Sequence, residues 1–249
     1  MMVPESSYTE DGFSKYFEIL LAISDSEKAA AFRIRHSVYC EDLAWEAIRS
    51  DGMETDEYDA HALHCLIRSR ASGDFIGCVR LILTAPGDPH APLPFERTCG
   101  PALHRSVLDP AKLPRDRIAE VSRLAIIGQY RRRRGEKHMP AGGIQDTELD
   151  SAGQPRFAWL LVGLYMGVFA IAARHGLEQL FLLSEPRLAR HLNKIGITNV
   201  QIGNPTEHRG FRAPAVMDVQ HVITNLDPLL KSVFTHVNAQ LDAYYPATT

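Results

Sequence analysis

The sequence has only four cysteines, and no two of them stand in a CxxC pair. Paired cysteines are typical of structural zinc sites and of redox motifs, and a chain of 249 residues is too large to depend on a disulfide framework. The first residues also lack the basic and apolar regions of a secretory signal peptide. We therefore expect a cytoplasmic protein with reduced thiols.

A strong net charge of either sign is also absent. Lys and Arg together number 27 and Asp and Glu number 30, so the formal net charge is −3. A protein this close to neutrality has no overall attraction for nucleic acid or for anionic membranes, although a local patch could act alone. We expect no nucleic-acid partner.

One long uncharged run occurs at 157–173, seventeen residues between two arginines. That length is the lower limit for crossing a bilayer. The run contains Gly163 and Gly167, and polar chain continues on both sides. These features favour a helix buried on a sheet and no stable membrane insertion; a membrane or interfacial segment is the alternative.

Hydrophobic periodicity predicts an alternation of strands and helices. Strands are predicted at 16–24, 62–69, 75–84, 117–127, 179–184, 199–202 and 215–222, and helices at 27–40, 157–173, 187–194 and 226–244. The two strands around the turn at 71–74 read as a hairpin, and 86–114, with its seven prolines, reads as a loop. We infer one α/β (α+β) domain over 1–249, with its core at 16–222 and helices on both faces of one mixed sheet.

Charged and aromatic side chains gather between the first predicted helix and the second hairpin strand. Arg35 and Tyr39 are one helical turn apart and share a face. The set continues along the chain with Trp45, Asp56, Asp59 and Arg80. Acids and arginines can form a charge-assisted network, which is strongest where water is excluded. On spacing alone we favour the alternative, a solvated loop with incidental ion pairs.

A glutamate and an arginine interrupt the otherwise apolar strand at 117–127. Regular alternation puts Glu120, Ser122 and Leu124 on one face and Val121, Arg123 and Ala125 on the other. A charged group inside an apolar strand is costly unless it is paired or used. The strand therefore carries either functional residues or a single structural ion pair.

Four consecutive arginines and a glycine follow this strand at 131–135. Guanidinium groups and backbone N–H groups can converge on a phosphate at such a turn. A solvated basic surface or a nucleic-acid patch is the more common meaning of a basic run.

Other chemistries have weaker support. His61 and His64 have no third ligand at a diagnostic spacing, so we expect no metal site. Ser122 lies in no G-x-S-x-G motif, which argues against a serine hydrolase.

Several phrases together resemble a known family. They are DEYDAH at 56–61, GCVRL at 77–81, EVSRLA at 120–125, YRRRRGE at 130–136, SEP at 184–186 and GFRAP at 210–214. Over 16–222 the chain resembles acyl-homoserine-lactone synthases and, more closely, the PEP-CTERM/exosortase system-associated acyltransferases, which are similar to N-acyl amino acid synthases.

The resemblance implies a GNAT fold with a mostly antiparallel sheet. It implies an N-acyltransferase that moves a fatty acyl group from a thioester donor to the amine of an amino acid or similar small acceptor. The donor would be the acyl-phosphopantetheine of an acyl carrier protein, less readily acyl-CoA, and no cofactor would be tightly bound.

The roles of the family's residues are transferred only to positions of this sequence that match the family's motifs. Catalytic roles fall on Glu120, which we expect to be the general base, and on Arg123 and Asp56, with Arg123 paired to Glu120 or to Asp56. Contacts with the acceptor fall on Arg35, Tyr39, Trp45, Asp59 and Arg80. Contacts with the donor fall on Leu124, Ala125, Ile126, Arg131, Arg132, Arg133, Arg134 and Gly135.

The sequence also departs from the pattern. The arginine-rich turn at 131–135, expected to bind the phosphate of the donor, matches the family's pattern only in part. A polar insertion follows it and delays the next helix. Between Arg187 and Lys194 there is no tyrosine that could act as general acid. The alternatives are a lactone synthase that uses S-adenosylmethionine, a coenzyme A-dependent acetyltransferase, and a non-catalytic module that binds lipid or peptidoglycan precursors. A nucleic-acid binder lacks a wider basic surface.

Overall fold

The structure is a computed structural model that describes residues 10–88, 90–131 and 157–245, and in these ranges eight strands form one sheet. In spatial order they are β1 Phe17–Leu21, β2 Ala62–Ser69, β3 Phe75–Leu83, β4 Ile118–Ile126, β5 Gln179–Ser184, β8 Phe211–Asp218 and β6 Val200–Gln201, with β7 Thr206–Glu207 also on β8. Neighbours are antiparallel except β4 and β5, which are parallel.

Helices cover both faces of this sheet. They are α1 Glu10–Tyr16, α2 Asp25–Arg35, α3 Pro94–Cys99, α4 Gly128–Arg131, α5 Phe157–Arg174, α6 Pro186–Lys194, α7 Val219–Thr224 and α8 Pro228–Leu241. α5 packs on one face and α8 packs against it, while α2 and α3 pack on the other face. The predicted architecture, a mixed and mostly antiparallel sheet between helices, is confirmed; the single domain over 1–249 stays a prediction.

The helix α5 is a core element. Its two glycines allow close approach: a Cβ at Gly163 would meet the Phe13 ring at 2.5 Å, and one at Gly167 would meet Cys65 Sγ at 2.5 Å. The predicted burial of this helix on the sheet is confirmed. Within the described ranges, none of the helices combines the length and the apolar character needed to span a bilayer.

The helix α2 begins and ends differently from the prediction. It starts at Asp25, and Ser24 is its cap: Ser24 Oγ accepts the N–H of Glu27, and the Glu27 carboxylate accepts the N–H of Ser24. Regular α-helix ends at Arg35, and a π-helical stretch, His36–Asp42, follows where the sequence predicted a continuous helix to residue 40. Such stretches are rare and frequently occur at functional sites.

Three further assignments were wrong. The last strand ends at Asp218, and Val219–Thr224 is a helix, because the Asp218 carboxylate caps it by accepting the N–H of His221. Its β-branched residues had favoured a strand. The predicted loop at 86–114 contains α3, which starts at Pro94. The first strand covers only Phe17–Leu21, because Tyr16 belongs to α1 and Ser24 caps α2.

Candidate active site

The strands β4 and β5 part from each other halfway along the sheet. Their parallel pairing runs from Ile118 opposite Gln179 to Val121 opposite Leu182 and stops there. Beyond this point β5 stays paired with β8, and β4 stays paired with β3. One edge of β4 after Val121 therefore has no strand partner within the described residues, and its backbone groups are available to a bound molecule.

A β-bulge at Arg123 lies where β4 and β5 separate. Between the pairs Arg80–Ser122 and Cys78–Ala125, β4 holds one residue more than β3, and Arg123 has a φ of +52°. A left-handed conformation costs a residue with a side chain about 1–3 kcal/mol, and such strain concentrates at functional sites. After the bulge, Ile127 N–H donates to Ile76 O on β3. The N–H of the preceding residue, Ile126, therefore points to the unpaired edge.

The bulge also changes which side chains share a face. Leu124 packs with Val121 in the core under α5, and Ala125 packs under α2. The regular alternation predicted from the sequence, with Leu124 beside Glu120 and Ser122 and Ala125 beside Val121, is therefore wrong. One extra residue in a strand shifts the period of two for everything that follows it.

A buried ionic network lies on the α2 face beside the bulge. Arg35 and Arg80 are 0% and 2% exposed. Arg35 pairs with Glu54 through Nε and with Asp59 at 2.6 Å through Nη1. Arg80 Nη1 lies 2.6 Å from oxygens of both Asp56 and Asp59. The solvated loop favoured on spacing alone is wrong, because the arginines are enclosed.

Arg123 is part of the same network. Its Nη2 lies 3.0 Å from Glu54, 3.2 Å from Asp56 and 3.3 Å from Glu46. It forms no ion pair with Glu120 among the described residues, so of its two predicted partners the structure selects Asp56. Four carboxylates thus surround the arginines Arg35, Arg80 and Arg123.

Glu54 was missed by the sequence analysis although it joins two of these arginines. Its only signal is its place two residues before Asp56 in an acid-rich loop. Burial opposes its ionisation, but Arg123 and Arg35 outweigh burial and hold its pKa below the ordinary value. The same contest between burial and the arginines holds the pKa of Asp56 low and that of Asp59 lower still.

Glu120 has a different environment from the other acids. It is 6% exposed, and its Oε2 accepts the N–H of Phe95 at 2.7 Å, at the start of α3. Burial raises its pKa to about 7, against the opposing effects of the Phe95 hydrogen bond, Arg80 and Arg123. A carboxyl group that titrates near neutrality is suited to accept and release a proton.

Aromatic side chains connect the network to the unpaired edge. Tyr39 Oη donates to Leu124 O at 2.8 Å, and the Arg123 guanidinium lies 5.5 Å from the Tyr39 ring centre. Trp45 lies 6.0 Å from Tyr39, and the Arg212 guanidinium lies 5.1 Å from the Trp45 ring. The structure thus brings the side chains that were predicted to contact the acceptor substrate to one side of the bulge.

Only part of the predicted phosphate-binding turn belongs to the residues that the structure describes. Arg131 ends α4, and Arg132, Arg133, Arg134 and Gly135 lie outside the described residues. Over the described ranges, no group of three or more His, Cys, Asp or Glu side chains is arranged to hold a metal ion.

Comparison with known proteins gives matches that agree with the fold. Residues 34–141 match the model of the acetyltransferase (GNAT) domain. A curated relative, the acyl-homoserine-lactone synthase of Vibrio anguillarum, is 31% identical over 71 residues, which are 28% of this chain. The matched stretch spans only 37% of that relative's length.

Two solved structures have a similar fold. BjaI, a coenzyme A-dependent acyl-homoserine lactone synthase solved with SAM and isopentyl-CoA, superimposes with a TM-score of 0.58 at 18% identity, covering 89% of each chain. FeeM, an N-acyl amino acid synthase from uncultured soil microbes, gives a TM-score of 0.53 at 14% identity, covering 84% of this chain and 94% of its own.

Residues 34–141 thus resemble a GNAT-type acyltransferase domain, and the fold is similar to that of the acyl-homoserine lactone synthase BjaI and the N-acyl amino acid synthase FeeM.

A first prediction concerns Glu54. Replacing it in Glu54→Gln leaves Arg35 and Arg123 with less charge compensation in a buried site. We expect the free energy of unfolding to fall by about 3 kcal/mol, measured by urea denaturation. Glu57→Gln is the matched control, because that side chain is 73% exposed, and we expect a change within about 0.5 kcal/mol. Equal effects of the two substitutions would contradict the role of Glu54.

A second prediction concerns the raised pKa of Glu120. The rise from 4.5 to about 7 corresponds to about 3 kcal/mol. The folded state holds its proton more tightly than the unfolded state, so the wild type loses stability as pH rises from 4.5 to 7. Glu120→Gln has no such proton. We expect its stability relative to the wild type to increase by about 3 kcal/mol over that window and to level off above it. A difference that is constant with pH in urea denaturation would contradict the shift.

Proposed function

We propose that this chain transfers a fatty acyl group from a thioester donor to the amine of an amino acid or similar small acceptor. The observation that carries the proposal is the presence of two features close together along β4. An unpaired strand edge supplies backbone donors, and a buried carboxyl with a pKa of about 7 lies three residues before the bulge on the same strand.

The reaction is the aminolysis of a thioester. An acceptor amine has a pKa of roughly 8 to 10 by analogy with α-amino and lysine groups, so it is mostly protonated at neutral pH. Glu120 takes its proton directly or through one water. The nitrogen then forms a bond to the carbonyl carbon, negative charge develops on the carbonyl oxygen, and the C–S bond breaks to release the thiolate. The bonded nitrogen then loses a second proton to the thiolate, which gives an amide and a thiol, and the proton held by Glu120 leaves to solvent.

Backbone groups at the unpaired edge would stabilise the developing charge. N–H groups of Leu124, Ala125 or Ile126 are the proposed donors to the carbonyl oxygen, and the orientation of Ile126 N–H supports this. A positioned donor of this kind is worth about 3 kcal/mol in the transition state.

The ionic network would support the acceptor side. Arg123 and Asp56 keep the region beside the bulge ordered through their mutual ion pair. The buried ion pairs next to them are formed by Arg35, Asp59 and Arg80. Tyr39 and Trp45 shape the acceptor side, and α5 is proposed to wall a channel for the acyl chain.

The donor is proposed to be the acyl-phosphopantetheine of an acyl carrier protein. The turn Arg131–Arg132–Arg133–Arg134–Gly135 would contact its phosphate or the acidic surface of the carrier. The association with a PEP-CTERM/exosortase system is part of this proposal and rests on the resemblance of the sequence alone. We propose that no cofactor is tightly bound.

A second candidate is a lactone synthase that uses S-adenosylmethionine. It is favoured by the match to the Vibrio enzyme and by the fold shared with BjaI, which was solved with SAM and isopentyl-CoA. Mass spectrometry distinguishes the two: acyl-carrier and acyl-CoA donors are offered with a panel of amino acids, amines and S-adenosylmethionine. N-acyl amino acids support the first function and a homoserine lactone supports the second. The absence of any acylated product would contradict both.

A third prediction concerns Glu120 as the base. Glu120→Gln should keep the fold and lower kcat/KM about 10²- to 10⁴-fold, because no group then takes the amine proton. In the wild type, kcat/KM should decrease as pH falls below about 7, and Glu120→Gln should lack that component. Glu57→Gln, on an exposed side chain, should keep the wild-type rate. Near-normal turnover in Glu120→Gln would remove Glu120 as the base.

A fourth prediction concerns the arginine turn. Reversing charge with Arg132→Glu and Arg133→Glu should raise KM for the acyl carrier more than it lowers kcat, because electrostatic contacts act mainly on encounter and binding. Arg105→Glu, on the surface near Asp109, is the matched control. A lowered kcat with an unchanged KM for the carrier would argue against the contact.

A further inference from the structure

Arg212, at the second position of β8, has a guanidinium group that the protein does not fully use. Its Nε donates to the backbone oxygen of His208 at 2.9 Å. Its Nη2 is buried and makes no hydrogen bond within the described part of the chain. The carboxylate of Glu185 lies 3.7 Å from Nη2, beyond hydrogen-bond range. The side chain is 13% exposed, so water does not fully compensate for the missing partner.

The neighbouring arginines are satisfied. Arg35, Arg80 and Arg123 each contact at least two carboxylates of the ionic network. Arg209, on the same hairpin as Arg212, pairs with Glu46. All four carboxylates of the network are therefore taken by other arginines. Burial and the charge of Arg209 lower the pKa of Arg212, while Glu185 and Tyr39 partly oppose this. Among the described residues, Arg212 has one ion-pair partner, Glu185, which lies too far from Nη2 to accept a hydrogen bond.

The position of Arg212 connects it to the proposed acceptor side. On β8 the next residue, Ala213, pairs with Ser184, the last residue of β5. Arg212 therefore lies at the end of the sheet where β4 and β5 have parted. Its guanidinium stacks on Trp45, which contacts Tyr39, whose hydroxyl is bonded to Leu124 O. An acceptor lying against these rings would have the unpaired edge of β4 on one side and Arg212 on the other.

We infer that Arg212 is a specificity-determining residue that binds the carboxylate of the acceptor, so that the enzyme acylates amino acids in preference to simple amines. The inference rests on the proposed function and names its substrate class. A guanidinium fork matches a carboxylate through paired N–H donors, and an anion there would satisfy the buried Nη2. An α-amino acid carries its amine next to its carboxylate. Anchoring the carboxylate therefore fixes the nitrogen relative to the thioester.

The test compares acceptors that differ only in the carboxylate. Standard amino acids are offered beside their methyl esters, with fatty acyl-carrier and acyl-CoA donors, and kcat/KM is measured for each. We expect the wild type to prefer the acid. Arg212→Gln should reduce the ratio of acid to ester about 10- to 100-fold, mainly through KM for the acid, because one charge-assisted contact is lost. Arg212→Lys keeps the charge but not the forked pair of donors, so its ratio of acid to ester should lie between those of the wild type and Arg212→Gln.

The ratio is an internal control, because the lower amine pKa of an ester affects every variant equally. Arg105→Gln, which neutralises a half-exposed surface arginine, should leave the ratio unchanged. A wild type that acylates esters as readily as acids would overturn the inference while leaving the acyltransferase function intact. So would an Arg212→Gln or Arg212→Lys variant that changes KM for the donor and leaves the ratio unaltered. A wild type that acylates neither acid nor ester contradicts the proposed function itself.

Discussion

The left-handed bulge at Arg123 is the constraint on which the site depends. A regular strand would direct Arg123 to the α5 face, into an apolar core with no acid to meet it. The extra residue instead brings its guanidinium to Glu54 and Asp56 and directs Leu124 into the core. The strain of that one backbone conformation is offset by the ion pairs that Arg123 makes with Glu54 and Asp56. The same distortion exposes backbone donors where β4 leaves β5.

The ionic network is an unusual choice for a protein interior. Buried charges lose their hydration, and an apolar cluster of the same volume often stabilises a fold equally well. Here the arginines belong to three separate elements, α2, β3 and β4, and the acids to the loop between α2 and β2. The network therefore joins that segment to the sheet, in addition to the apolar contacts of Val38 and Tyr39. Tyr39 and Trp45 belong to the same segment, so the network helps to place them beside the strand edge.

Much of this arrangement could be read from the sequence, because apolar periodicity and the order of charged residues are local signals. The hairpin of β2 and β3 and the burial of α5 follow from them. The set Arg35, Asp56, Asp59 and Arg80 was expected to form a site only through the resemblance to a known family, because its spacing alone favoured a solvated loop. The bulge could not be predicted, because the alternation of side chains between two faces assumes a strand without an extra residue. The strand assigned at Val219 failed for another reason: β-branched residues favour strands, but the Asp218 cap starts a helix there. Glu54 is indistinguishable from its acidic neighbours until the chain folds.

The parallel contact between β4 and β5 has an implication for assembly. Only four residue pairs join them, and each side of that seam is built from consecutive chain: residues 17–126 contribute β1 to β4, and residues 179–218 contribute the rest. All residues of the ionic network belong to the first segment, whereas Arg212 and Glu185 belong to the second. The contact of Arg212 with Trp45 joins the two segments, so the region beside the bulge is complete only when both segments are packed together.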